Sequence, residues 1–189
     1  MKVSRKQAAQ NRERIVEAAA RLFRERGFEG IGVADLMKEA GLTHGGFYGH
    51  FSSKGDLIAE ASARALTRSL ALWTELAERA PGDDPLSAIA GAYATSRHRD
   101  NPGAGCLLAA LGPEVSRQGP AVRRAVTDHV RSAFDLLAKL LPGTSRAARR
   151  QQAISTYATL VGAMVMARAV NDRSLSQEIL DAGLASAKT

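Results

Sequence analysis

Apolar residues recur at three- and four-residue spacing along almost the whole chain, in runs separated by glycine and proline, and no run alternates with the two-residue period of a strand. That pattern admits only helices packed on helices. Nine segments follow from it, at about 8–26, 33–40, 44–50, 54–79, 86–98, 106–117, 120–141, 146–170 and 175–187. In the first, Ile15, Ala18, Ala19, Leu22 and Phe23 share a face and Gly27 stops the run. Leu57, Ala61, Leu66, Leu70, Trp73 and Ala77 make one stripe along the fourth, which Ser53 and Asp56 open as a capping box. Pro81-Gly82-Asp83-Asp84-Pro85 ends that segment, and Pro120 opens the seventh as a first helical residue. Ser174 with Gln177 is the expected capping pair of the ninth. The predicted class is all-α.

With 189 residues and 45% hydrophobic content the chain can bury a core, and aromatics at 5% with abundant Ala and Leu favour helix over sheet. The net charge of +7 points to a polyanionic partner. The charge is uneven: residues 1–26 hold eight lysines and arginines against three glutamates, and residues 58–189 hold sixteen against twelve acidic residues. A solvated basic tail is the competing reading, and it applies also to Arg5 and Lys6, which could otherwise form an arm along a groove. One cysteine, Cys106, excludes an intrachain disulfide. The N-terminus lacks a signal peptide's apolar stretch, and no run reaches the ~18 apolar residues of a membrane span. A cytoplasmic protein with no membrane partner is expected.

The sharpest feature lies at residues 33–54. Two short helices flank Gly41-Leu42-Thr43: the glycine permits a left-handed turn, Leu42 plugs the core, and Thr43 caps the next helix through its side chain. That is the plan of a helix-turn-helix, in which the first helix braces and the second enters the major groove. The second is glycine-rich. Gly45, Gly46 and Gly49 each cost roughly 1 kcal/mol relative to alanine inside a helix, so Phe47 and Phe51 must clamp the segment. The glycines make sense if the backbone presses against a duplex; a glycine-rich loop with no partner is the alternative.

Gly27-Phe28, Val33, Asp35-Leu36, Ala40-Gly41-Leu42, Phe47-Tyr48, His50-Phe51 and Ser53-Lys54 resemble the N-terminal signature of the TetR repressor family. The resemblance covers about residues 10–60. It implies a nine-helix architecture with a three-helix DNA-binding domain over 1–53 and a helical ligand-binding and dimerisation domain over 54–189. It places Thr43, His44, Gly45 and Gly46 where base and phosphate contacts concentrate, and Tyr48, His50 and Lys54 near phosphates. Ile31 and Gly32 stand where many members carry a hydroxyl, so the backbone N–H of Val33 is left to serve there. Double-stranded operator DNA, a small-molecule inducer and a second copy of the chain are the implied partners, with no cofactor.

For the inducer, Trp73, Tyr93, Cys106, Leu107, Phe134, Tyr157 and Met164 are the candidate lining, with Leu108 and Met166; ordinary core packing explains each equally well. The fourth segment, running from Lys54 to Trp73, is the expected lever between ligand and DNA. Cys106, near Arg97, His98 and Arg99 and at a helix start, could be a thiolate that senses electrophiles or a buried small hydrophobe. Ala158, Gly162, Ala163, Ala167 and Ile179 are candidates for dimerisation. Four histidines without metal-ligand spacing, and Gly103-Ala104-Gly105 without the rest of a dinucleotide motif, argue against an enzyme and a metal site. A ligand-independent or activating DNA-binding protein is the remaining alternative.

Overall fold

The computed structural model describes residues 4–80, 84–143 and 145–187. The breaker Pro81-Gly82-Asp83 and the cation Lys2 lie outside the described residues. Within them the chain is helical and forms no strand, so the all-α class holds. The α-helices are α1 (Arg5–Arg26), α2 (Val33–Glu39), α3 (Lys54–Glu78), α4 (Pro85–Tyr93), α5 (Ser96–Asp100), α6 (Leu107–Val115), α7 (Pro120–Leu140), α8 (Arg146–Ala169) and α9 (Arg173–Ala187). Two tight 3-10 segments, His44–Gly49 and Pro102–Ala104, complete the order.

The differences from the sequence pattern have local causes. The run over 86–98 is two helices. Thr95 Oγ1 accepts the His98 N–H at 3.1 Å, and that cap starts α5 afresh after α4 has ended at Tyr93. The expected cap of α9 is displaced. Asp172 Oδ1 accepts from the N–H groups of Ser174 and Leu175 at 2.8 and 3.1 Å, so the helix begins at Arg173 with Ser174 inside it. Ser53 does cap α3, its Oγ accepting the Asp56 N–H at 3.1 Å, and Pro120 is the first residue of α7.

Two apolar cores share α3. Ile15, Phe23, Phe28, Leu36, Met37, Phe47, Phe51, Leu57 and Leu66 form the first, which also takes in Leu107, Leu111, Val115 and Val122 from α6 and α7. Trp73, Ile89, Tyr93, Leu137, Tyr157, Leu160, Met164 and Leu180 form the second. Burying a large apolar side chain is worth about 1.5–3 kcal/mol, so the α1, α2 and α3 unit is fused to α6 by its core.

Polar latches reinforce that junction. The Phe28 N–H donates to Glu114 Oε2 of α6 at 2.8 Å, which fixes the turn after α1, where Gly27 takes φ +84°. Arg24 donates from Nε (3.0 Å) and Nη2 to the carbonyl of Gly103. The loop holding Gly103 is closely approached: a Cβ there would meet the Glu25 carboxylate and Arg21 Cγ, and one at Gly105 would lie 2.5 Å from the His98 ring. Arg168 of α8 secures the loop's other side, donating to the carbonyls of Arg99 (3.1 Å) and His98 (2.7 Å).

Candidate nucleic-acid interface

Gly41 has φ +67°, the left-handed turn expected between α2 and the following segment. Leu42 is half-buried against the first core. The segment His44–Gly49 then winds as a 3-10 turn, not an α-helix. Three glycines in six residues leave too little helix propensity for the wider coil, and the i to i+3 pattern takes over: the Gly46 N–H bonds the Thr43 carbonyl at 3.0 Å. This corrects the expected role of Thr43. It holds the cap position, but its side chain accepts no capping bond.

The clamp is aromatic. Phe47 is 1% exposed and stacks on Phe51 with ring centroids 5.6 Å apart; Phe51 is itself buried and carries the Arg12 guanidinium 4.5 Å above its ring. The Phe51 N–H returns to the Phe47 carbonyl at 3.0 Å, and the His50 N–H to the same oxygen at 2.9 Å. Everything between the clamps faces outward. Thr43, His44, Gly45, Gly46 and Gly49 are exposed, His50 is half-exposed, and Tyr48 is 70% exposed with its ring edge-on to Phe47. A Cβ built on Gly45 or Gly49 meets nothing within 4 Å. The bare backbone therefore faces open space and not a neighbour in the fold. Val33, first residue of α2, is half-buried beside this surface, and Lys54 opens α3 with its ammonium 3.2 Å from Glu29 Oε2. Of the eight predicted DNA-contact residues, Val33 opens α2, His44, Gly45, Gly46 and Tyr48 lie in the 3-10 turn, Thr43 and His50 flank it, and Lys54 opens α3.

The remaining candidates divide. Trp73, Tyr93, Tyr157 and Phe134 form an aromatic group, with ring centroids of Trp73 6.0 Å from Tyr93 and 5.1 Å from Tyr157, and Phe134 6.0 Å from Tyr157. Cys106 is buried beside it, its Sγ 3.9 Å from Tyr157 Oη. His129 Nε2 lies 3.1 Å from the same hydroxyl. Burial pushes both tyrosine hydroxyls up from their ordinary range, and pulls the imidazoles of His98 and His129 down. The Tyr93 hydroxyl is buried and has no hydrogen-bond partner among the described residues. Met164 is buried in this group, whereas Leu107 turns into the first core and Met166 faces solvent. Sequence reasoning set His98 near Cys106 but missed its role as a bridge: it donates from Nδ1 to the Tyr93 carbonyl (2.7 Å) and accepts the Cys106 N–H at Nε2 (2.9 Å).

Of the dimerisation candidates, Ala163 and Ala167 are buried within the chain's own α8 and α9 pair. A Cβ on Gly183 would lie 2.5 Å from that of Ala163, and the Ser176 hydroxyl donates to the Ala167 carbonyl at 2.7 Å. Ile179 is half-buried in the second core. Ala158 is exposed and Gly162 is half-exposed, on the side of α8 that also exposes Ile154 and Val165. Among the described residues no helix is long and apolar enough to cross a membrane, and no group of three or more His, Cys, Asp or Glu could hold a metal ion.

A left-handed glycine turn, a bracing helix and an outward-facing, aromatic-clamped second element define a helix-turn-helix protein. The model of the tetR family of bacterial regulatory proteins matches residues 15–61. AcrR of Shigella flexneri, an HTH-type transcriptional regulator, is 33% identical over 86 residues, which is 46% of this chain and 40% of that relative. The curated relatives are thus matched over about half their length or less. Over the whole fold, E. coli NemR in its reduced form superposes with a TM-score of 0.79 at 28% identity, covering 95% of each chain. A TetR-family regulator from Agrobacterium tumefaciens gives 0.78 at 25%, covering 94% of this chain and 97% of that one. Residues 15–61 thus match the tetR family, and the relatives and structural neighbours named here are transcriptional regulators.

Proposed function

We propose that the chain is a cytoplasmic, homodimeric repressor that holds double-stranded operator DNA through Val33, Thr43, His44, Gly45, Gly46, Tyr48, His50 and Lys54, and lets go when a small molecule enters the second core. The observation that carries the DNA reading is the outward-facing 3-10 turn, whose glycine backbone is open on its far side while Phe47 and Phe51 fix it from within. In this reading residues 1–53 bind DNA and residues 54–189 bind ligand and partner. The dimer reading is supported by an apolar stripe on α8, Ile154, Ala158 and Val165, with Leu175 exposed on α9; the stripe would meet its copy across a two-fold axis. A dimer sets its reading elements ~34–36 Å apart or a multiple of that.

The ligand reading rests on Trp73, Tyr93, Cys106, Phe134, Tyr157 and Met164, and above all on the unpaired Tyr93 hydroxyl, a donor that a ligand acceptor would satisfy. Cys106 Sγ lies 3.9 Å from the Tyr157 hydroxyl in the same cluster, so an electrophile admitted there would meet the thiol. Selection of bound duplexes from a random pool tests the DNA reading: a palindromic site with log affinity falling linearly in log salt is expected. Recovery of no preferred sequence, or binding indifferent to salt, would overturn it. A thermal-shift screen tests the ligand reading, since a binder stabilises the native state as its concentration exceeds its dissociation constant.

A further inference from the structure

The part of the chain that presents the reading segment is not basic. Residues 27–57 contain two lysines, Lys38 and Lys54, against the four carboxylates of Glu29, Asp35, Glu39 and Asp56. Three of the cations on α1 are committed elsewhere, while Arg14 lies beside Gly41. Arg12 pairs with Glu60, Arg21 pairs with Glu25 and Glu39, and Arg24 turns inward to the Gly103 carbonyl. Lys54 is one of the two cations within residues 27–57, and its ammonium already holds a carboxylate oxygen of Glu29 at 3.2 Å.

The two partners are held unequally. The Lys54 side chain is 25% exposed and Glu29 is 83% exposed, so the lysine is the more enclosed partner and the carboxylate the freer one. The backbone at Glu29 cannot retreat, because the neighbouring Phe28 is fully buried and its N–H is bonded to Glu114. A phosphodiester oxygen arriving at Lys54 needs the position that the carboxylate occupies. The Glu29 side chain can rotate aside, but it stays within the ~8–10 Å Debye length of the incoming phosphate and repels it.

We infer that Glu29 is a built-in competitor for the DNA phosphate at Lys54, and that it sets how tightly this regulator grips its operator. This rests on the reading of Lys54 as a phosphate ligand. It has a thermodynamic signature. A lysine already neutralised by a carboxylate releases no protein-side counter-ion on exchanging it for phosphate, and the freed carboxylate takes up a cation from solution. Glu29 thereby lowers both the affinity and its salt dependence.

The test uses the full chain as wild type, Glu29→Gln, Lys54→Gln and the double variant. Each is titrated by fluorescence anisotropy against one labelled duplex, selected by the wild type from a random pool, across a series of KCl concentrations. Thermal melts confirm that each variant folds, which the exposure of position 29 favours. Glu29→Gln is expected to bind roughly two- to five-fold tighter at low salt, the range of an exposed ion pair, with a log–log salt slope steeper by up to ~0.9. In the Lys54→Gln background the gain should fall below half. An unchanged affinity and slope in Glu29→Gln, or the same gain with and without Lys54, overturns the competition. If Lys54→Gln binds as tightly as wild type, or the wild type selects no duplex, the phosphate reading of Lys54 fails first and takes this inference with it.

Discussion

Replacing Gly45 by alanine separates what the fold needs from what DNA needs. Gly45 does not have a positive φ, and the added methyl would meet nothing within 4 Å. The fold has room for it. Alanine at a compatible backbone position removes unfolded-state freedom and adds about 0.4–1 kcal/mol of stability, a rise in melting temperature of ~1–4 °C for a chain of this size. The duplex is the only body that the reading places against this backbone. A methyl there holds the turn off by about an ångström, enough to carry a hydrogen bond of ~2.9 Å beyond useful length. Losing one or two such bonds, each worth ~0.5–1.5 kcal/mol, weakens operator binding roughly twofold to a hundredfold. Melting curves and anisotropy titrations on the same preparation read both effects, and Gly49→Ala should behave alike. Gly41→Ala is the contrasting control: φ +67° and the nearby Arg14 guanidinium make it destabilising by about 1 kcal/mol or more. If Gly45→Ala and Gly49→Ala both melt higher and bind the operator undiminished, the backbone is not what lies against DNA and the reasoning is refuted.

Three further outcomes are expected. Glu114→Ala leaves the Phe28 N–H without its acceptor, which should cost about 1–3 kcal/mol and lower the melting temperature; a melt equal to wild type would show that the latch contributes nothing. Acidification should destabilise the fold. Burial lowers the folded-state pKa of His98 and His129, so as pH drops below ~6.5 the unfolded chain takes up protons first. Stability, full at pH 7 and above, is then lost as pH falls toward the folded-state values, and a melting temperature that stays flat between about pH 6.5 and 5 would contradict it. Ile154→Glu places a charge in the proposed α8 interface and should shift sedimentation from dimer toward monomer at micromolar concentration while leaving the helical spectrum intact; an unshifted dimer would move the interface elsewhere.

The helix-turn-helix was readable because its signals are local. Gly41, the Phe47 and Phe51 pair, and Ser53 before Asp56 act within a few residues of themselves. The segments that differed were misread for equally local reasons: Thr95 restarts a helix that apolar spacing alone continues, and Asp172 caps α9 ahead of the Ser174 that resembles a cap. What the sequence did not disclose is long-range. Arg24 is 79 residues from Gly103 and Phe28 is 86 from Glu114, and neither pair carries a pattern that couples them. The sharing of α3 between two cores likewise depends on which face of each neighbour arrives there. So does the fate of Ala163 and Ala167: small residues on α8 suit close approach by any helix, and the chain's own α9 is the one that fills that role.

The attachment of the reading unit at two places has a mechanical consequence. One support is covalent, where the 3-10 turn runs on into α3; the other is α6, gripping the end of α1 through Glu114 and the Gly103 loop. A body on two supports turns when only one of them moves and slides when both move together. In the proposed dimer, turning would change how deeply each copy's 3-10 turn tips into its groove, while sliding would change the distance between the two copies. Whether a stimulus displaces α3, α6 or both therefore selects between detuning the angle of approach and detuning the spacing.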